Sequence, residues 1–199
     1  MKRKSILFVG LLALITFISF ADVSRASDDF AVGKTLENFK LPDTNGKDQS
    51  FNDLKGTNGA IVIFLSVQCP VVKGYDDRIN QLAADYKAKG INFIGINSNS
   101  TESVANIKTH AEANYKFPVL IDKGNVLADQ LGATVTPEVF YFNAKNVLLY
   151  EGAIDNDRRG DNPTEKYVRT ALDSGIDGKA IAKQSAKAFG CSIKRVEKN

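Results

Sequence analysis

The sequence predicts an α/β fold, a central mixed sheet flanked by helices, and three observations carry that prediction. Residues 60–65 (AIVIFL) are apolar without polar alternation, the pattern of a strand buried on both faces. After Pro70 the apolar residues Val72, Tyr75, Ile79, Leu82, Ala83 and Tyr86 recur at steps of three and four, one face of a helix ending near Gly90. A second apolar strand at 91–96 (INFIGI) completes a β-α-β unit, whereas 138–142 (EVFYF) and 147–151 (VLLYE), joined by four residues, form an antiparallel hairpin. A parallel beginning and an antiparallel end together make a mixed sheet covered by helices.

The chain opens with Lys2, Arg3 and Lys4, an apolar run from Ile6 to Phe20, and two small-residue sites, Ser19-Phe20-Ala21 and Ser24-Arg25-Ala26. The run is shorter than the ~20 apolar residues of a spanning helix, so residues 1–26 read as a cleaved signal peptide, with an uncleaved anchor as the alternative. An exported protein, periplasmic or extracellular, follows from that reading. No cysteine directly follows the run, which leaves a lipoprotein anchor unsupported.

Residues 1–26 also hold four basic residues and one acidic residue. Of the 26 basic and 23 acidic residues in the chain, 22 of each remain beyond them. The formal charge of +3 therefore belongs to the leader, and the rest gives no global electrostatic case for nucleic acid or an acidic membrane surface. Residues 27–199 are expected to form one domain, with 176–199 as a C-terminal extension and a chain length sufficient for its own core.

Within it, residues 27–59 are polar and rich in turn residues, and Asn45-Gly46 marks a turn between two short extended pieces, an N-terminal hairpin. Ser100 or Thr101 is placed to cap a helix carrying Val104, Ile107 and Ala111, with Glu102 and Ser103 in its first turn. A short strand at 117–121 and a short helix at 125–131, stopped by Gly132, come next. The stretch 154–163 (IDNDRRGDNP) is a charged loop. Thr164 is placed to cap a helix burying Tyr167, Val168, Ala171 and Leu172, and a last helical stretch spans 179–189 before Gly190 and Cys191.

Chemistry concentrates at Cys69. It falls on the turn from the first strand to the first long helix, and Pro70 suits the first helical position, which leaves the cysteine at the N-cap. There a thiolate faces the positive end of the helix, and such sites bring cysteine pKa values from ~8.5 into the range ~3.5–7.5. Cys69 is thus a candidate nucleophile, and a buried structural cysteine is the alternative.

Cys191 is the other cysteine, and in oxidising surroundings the two have the means to pair. Closing so long a loop stabilises a fold by up to ~5 kcal/mol in the chain-entropy model, so a purely structural bridge is a competing reading. His110, the single histidine, is expected on a helix surface. No metal site or cofactor is expected: the acids Asp155, Asp157 and Asp161 lack calcium-loop spacing, and no glycine-rich phosphate loop occurs.

The IFLSVQC stretch, the helix after Cys69, the Thr136-Pro137 dipeptide before EVFYF, and the closing hairpin and helix resemble the thioredoxin fold over most of residues 33–175. That resemblance implies an active site at Cys69 and a cis-proline, Pro137, packed beside it. The usual C-x-x-C is absent, because CPVV puts Val72 where the second thiol belongs. The chain is more similar to the redoxin and peroxiredoxin-like branch, in which a cysteine followed by proline attacks an oxidant or a disulfide. Ser66 matches the Thr/Ser of the peroxiredoxin pattern P-x-x-x-(T/S)-x-x-C, whereas Val62 stands at its proline and no peroxide-polarising arginine can be placed; Arg158 and Arg159 lie in the charged loop.

The ending AFGCSIKR resembles the closing motif of exported redoxin-domain proteins, which implies Cys191 as the resolving partner of Cys69. The expected function is an exported thiol-disulfide oxidoreductase or peroxiredoxin-like antioxidant protein. Its partner would be a protein disulfide or thiol, or a small peroxide, with no nucleic acid and no stable membrane association after signal cleavage. A non-catalytic binding or structural domain, stapled by a Cys69–Cys191 disulfide, is the rival.

Overall fold

A computed structural model describes residues 30–159 and 162–197; the leader, with its cleavage sites, lies outside the described residues. A hairpin of β1 (Lys40–Pro42) and β2 (Asp48–Ser50) comes first, turning at Asn45-Gly46 as expected, and leads into a single helical turn, α1 (Phe51–Leu54). Then follow β3 (Gly59–Leu65), α2 (Pro70–Lys87), β4 (Ile91–Asn97), α3 (Val104–Asn114), β5 (Val119–Ile121) and α4 (Val126–Leu131). The second half holds β6 (Val135–Thr136), β7 (Glu138–Asn143), β8 (Leu148–Gly152), α5 (Tyr167–Ile176), β9 (Ser185–Ala186) and β10 (Cys191–Ser192).

Six strands form the central sheet in the order β5-β4-β3-β7-β8-β9. The pairs β3/β4, β4/β5 and β8/β9 are parallel, and β3/β7 and β7/β8 antiparallel, so the sheet is mixed as predicted. Every residue of β3 is buried. Its alternate side chains feed two cores. Ile61, Ile63 and Leu65 pack with Val72, Tyr75, Ile79 and Tyr86 of α2 and with Val168 and Leu172 of α5. Val62 and Phe64 face Phe140 and Phe142 of β7, Leu127 and Leu131 of α4, and Phe51 of α1. Full burial of one such side chain contributes about 1.5–3 kcal/mol, and β3 supplies them to both sides. Gly59 enters the strand at φ +130 with its Cα against the Phe142 carbonyl, where a side chain would collide with backbone.

Three local expectations are corrected. The cap of α3 is Ser103, whose hydroxyl accepts from the Asn106 N–H at 3.3 Å, so Glu102 lies before the helix rather than in its first turn. Thr164 does not cap α5, which starts at Tyr167 after Lys166; the Thr164 N–H and hydroxyl are both bonded to Asn156 instead. The stretch 179–189 is not helical. The edge of β8 would otherwise leave backbone groups open, and the tail satisfies them: Glu151 N–H donates to Gln184 O at 3.1 Å and Ala153 N–H to Ala186 O at 3.0 Å. This tertiary pairing outweighs the helix propensity of an Ala/Lys-rich segment worth only tenths of a kcal/mol per residue.

Candidate active site

Cys69 is the N-cap of α2, with Pro70 in its first turn. Its sulfur reaches the end of the sheet at β6. The Thr136-Pro137 peptide bond is cis, and Thr136 presents its carbonyl oxygen 3.2 Å from Cys69 Sγ. The tail brings the second thiol to the same point. β10 pairs antiparallel with β6, placing Cys191 opposite Thr136 and Ser192 opposite Val135, and both cysteines are free thiols. The four expected residues therefore divide: Cys69, Cys191 and Pro137 converge, whereas Ser66 sits one turn back.

Cys69 is buried, 1% exposed. Burial pushes the Cys69 thiol up. Four donors overcome it and leave the thiol below its ordinary value of 9.0: the Cys191 thiol, the Val72 N–H at the helix start, the Thr136 side chain and the Cys191 N–H. Of the polar contacts, the Thr136 carbonyl favours the protonated form, and the donors outweigh it. Cys191 moves the opposite way. Its burial and its bond to Cys69 hold the proton on it, opposed by the positive charges of Arg158 and Lys194. The two thiols are thus unequal: Cys69 is the better thiolate and Cys191 the proton donor. The positive charge of Arg158 acts on the second cysteine.

The turn that carries Cys69 is fixed by a residue the sequence reading placed elsewhere. The Glu102 carboxylate accepts from Ser66 Oγ at 2.5 Å, Val67 N–H at 3.0 Å, Gln68 N–H at 3.0 Å and Asn97 Nδ2 at 2.6 Å. Burial pushes this carboxyl up, but those four donors bring it below its ordinary value. Ser66 therefore serves the loop through Glu102, with its hydroxyl on that carboxylate. Nothing in the sequence signals this pairing, since Glu102 is 36 positions away and resembles any first-turn acid of a helix.

Beneath the turn, α2 carries two buried polar clusters. Tyr75 hydroxyl lies 2.6 Å from Asp155 Oδ1, and Arg78 both pairs with Asp155 and lies 3.7 Å over the Tyr75 ring. The aspartates of the charged loop are therefore engaged by protein groups in two described cases, Asp155 here and Asp157 through the Arg159 and Asn162 N–H groups. Asp76 accepts from Tyr115 hydroxyl at 2.5 Å, and His110 Nε2 stands 3.7 Å from its other oxygen. His110 is thus half-buried against Tyr115 rather than on an open surface, a correction the helix pattern alone did not offer. Among the described residues no group of three or more His, Cys, Asp or Glu is arranged to hold a metal ion.

Known proteins resemble this chain in sequence and in fold. The AhpC/TSA family model matches residues 32–151. The thiol-disulfide oxidoreductase ResA of Halalkalibacterium halodurans is 31% identical over 150 residues, covering 74% of this chain and 82% of that protein. The crystal structure of an uncharacterized conserved protein from Geobacillus kaustophilus superposes with a TM-score of 0.80 at 30% identity, covering 86% of this chain and 96% of its own. A hypothetical protein from Sinorhizobium meliloti 1021 gives 0.79 at 28% identity, over 86% and 98%. With the mixed sheet, the helix-capping cysteine and the cis-proline beside it, the chain belongs to the AhpC/TSA family and has the thioredoxin-like fold.

Proposed function

We propose that this protein is a thiol-disulfide oxidoreductase in which Cys69 attacks and Cys191 resolves. The observation that carries the reading is the unequal pair: a helix-capping thiol held below its ordinary pKa by hydrogen bonds from the thiol and N–H of a second cysteine. The relatives named as thiol-disulfide oxidoreductases support it. Cys69 thiolate attacks a sulfur of a partner disulfide; a Cys69–partner bond forms, the partner's S–S bond breaks, and the released thiolate takes up a proton. Cys191 then gives up its proton, with Arg158 and Lys194 favouring its thiolate, and attacks the Cys69 sulfur. The partner leaves as a dithiol and the protein holds a Cys69–Cys191 disulfide, two electrons having passed. A reducing dithiol restores the pair by the reverse exchange. Pro137 and Thr136 position the site, and Ser66 acts through Glu102.

The protein partner is a polypeptide disulfide, and the place of action is outside the cytoplasm, supported by the basic start and apolar run of residues 1–26. None of the described helices is long and apolar enough to cross a membrane. Cys69→Ser is expected to abolish reduction of a model protein disulfide such as insulin, and Cys191→Ala to leave one mixed disulfide trapped on Cys69. Full turnover by Cys69→Ser overturns the assignment. Hydrogen peroxide is the comparison substrate, and consumption of it faster than of the protein disulfide would favour the peroxiredoxin-like role instead.

A further inference from the structure

The proposed exchange meets an obstacle in the fold, since Cys69 is 1% exposed and the tail lies over it. The tail is pinned on both sides of this crossing. Upstream, β9 pairs with β8. Downstream, Lys194 N–H donates to Asn99 Oδ1 at 2.9 Å, Val196 N–H to Asn125 Oδ1 at 2.8 Å, and Arg195 pairs with Asp129 at 3.0 Å. Between these anchors residues 187–192 form a short strap, held by the two-residue β10/β6 pairing, the Cys191 thiol and N–H on Cys69, the Thr136 hydroxyl donating to Cys191 O at 3.5 Å, and Phe189 against Tyr75 at 6.2 Å between ring centroids.

One residue makes this seat selective. Gly190, at φ +155, lies with its Cα against the Thr136 carbonyl, where any Cβ would run into the oxygen. A strand that lies on β6 with the strap's backbone path therefore has no room for a side chain on the residue before its cysteine.

Resting on the thiol-disulfide reading, we infer that the strap is an internal occupant of a strand-docking edge, and that the partner is an extended polypeptide segment carrying glycine followed by a disulfide-bonded cysteine, which takes the strap's place on β6. The partner's cysteine then stands where Cys191 stands, over Cys69. Cys69 thiolate attacks its sulfur, the partner's S–S bond breaks, and the second partner thiolate leaves and is protonated. Return of the strap brings Cys191 back; it loses its proton, bonds to the Cys69 sulfur, and expels the partner as a thiol. One edge thus serves capture and release, and the strap competes with the product for it.

The test uses the reduced full chain and the peptide Ser-Ala-Phe-Gly-Cys-Ser-Ile, its cysteine carried as the mixed disulfide with thionitrobenzoate, whose release is followed by absorbance. A second peptide has alanine in place of glycine. Gly190→Ala crowds the strap off β6, so release is expected to rise about tenfold or more over wild type, the change an over-packed contact makes in a two-state equilibrium. The glycine peptide is expected to react about tenfold faster than the alanine peptide, by the same clash. If Gly190→Ala does not fold by circular dichroism, Phe189→Ala, which removes the Tyr75 contact, carries the same comparison. Unchanged rates in a folded variant, or equal rates for the two peptides, overturn the inference. Failure of the underlying reading looks different: Cys69 would be alkylated by iodoacetamide in the opened variants, yet no protein would release thionitrobenzoate.

Discussion

At Cys69 two forces oppose each other on one atom: burial favours the neutral thiol, and a ring of donors favours the thiolate. Because the donors win, the absorbance of the Cys69 thiolate is expected to titrate in with a midpoint below the ordinary 9.0. The largest donor is the Cys191 thiol, so Cys191→Ala is expected to move that midpoint upward. A midpoint unmoved by this change would mean that the helix terminus alone sets the ionisation. The sequence made the N-cap position legible, because strand, Cys, Pro and amphipathic helix follow one another locally. It did not make the donor set legible, because Thr136 and Cys191 arrive from 67 and 122 positions away, through a turn and a tail whose pairing is tertiary.

At the scale of elements, the loop between β3 and α2 depends on a carboxylate just before α3. Glu102→Gln keeps the shape but replaces an acceptor oxygen with a donor facing N–H groups. It is expected to destabilise the fold by about 1–3 kcal/mol, the cost of leaving buried donors unsatisfied. The pH dependence has a definite sign. A carboxyl depressed on folding contributes stability that is complete above its ordinary value of 4.5 and is lost as pH falls through the lower folded value. Urea melts should therefore show the gap between wild type and Glu102→Gln at its largest above pH 4.5 and closing on acidification. Strands and long helices were readable because their periodicity is local. The caps of α3 and α5 were misplaced because several Ser and Thr residues compete there, and only the path of the chain decides among them. The tail was misread for a related reason: its helix-forming composition is overruled by two open strand edges, of β8 and β6, that the local sequence does not reveal.

At the scale of the molecule, β3 organises everything, since it feeds both cores and ends at the turn bearing Cys69. Truncating a side chain at its centre, Ile63→Ala, is expected to cost about 2–5 kcal/mol in denaturant unfolding without altering the thiol titration of the folded protein. The tail closes the molecule and carries the second thiol across the whole length of the chain to the first. A bridge between them closes a very long loop, so the oxidised protein is expected to resist urea more than the reduced one, by up to ~5 kcal/mol in the chain-entropy model. The same link separates a working pair from a staple, because whatever stabilises the disulfide also makes it harder to reduce.

The most direct measurement is equilibration of the protein with mixtures of oxidised and reduced dithiothreitol, followed by acid trapping, alkylation and mass mapping of every disulfide. The account predicts a single Cys69–Cys191 bridge that opens and closes reversibly with a midpoint above about −300 mV. A bridge that stays closed well below that potential, or oxidation that leaves Cys69 and Cys191 unlinked, would contradict it.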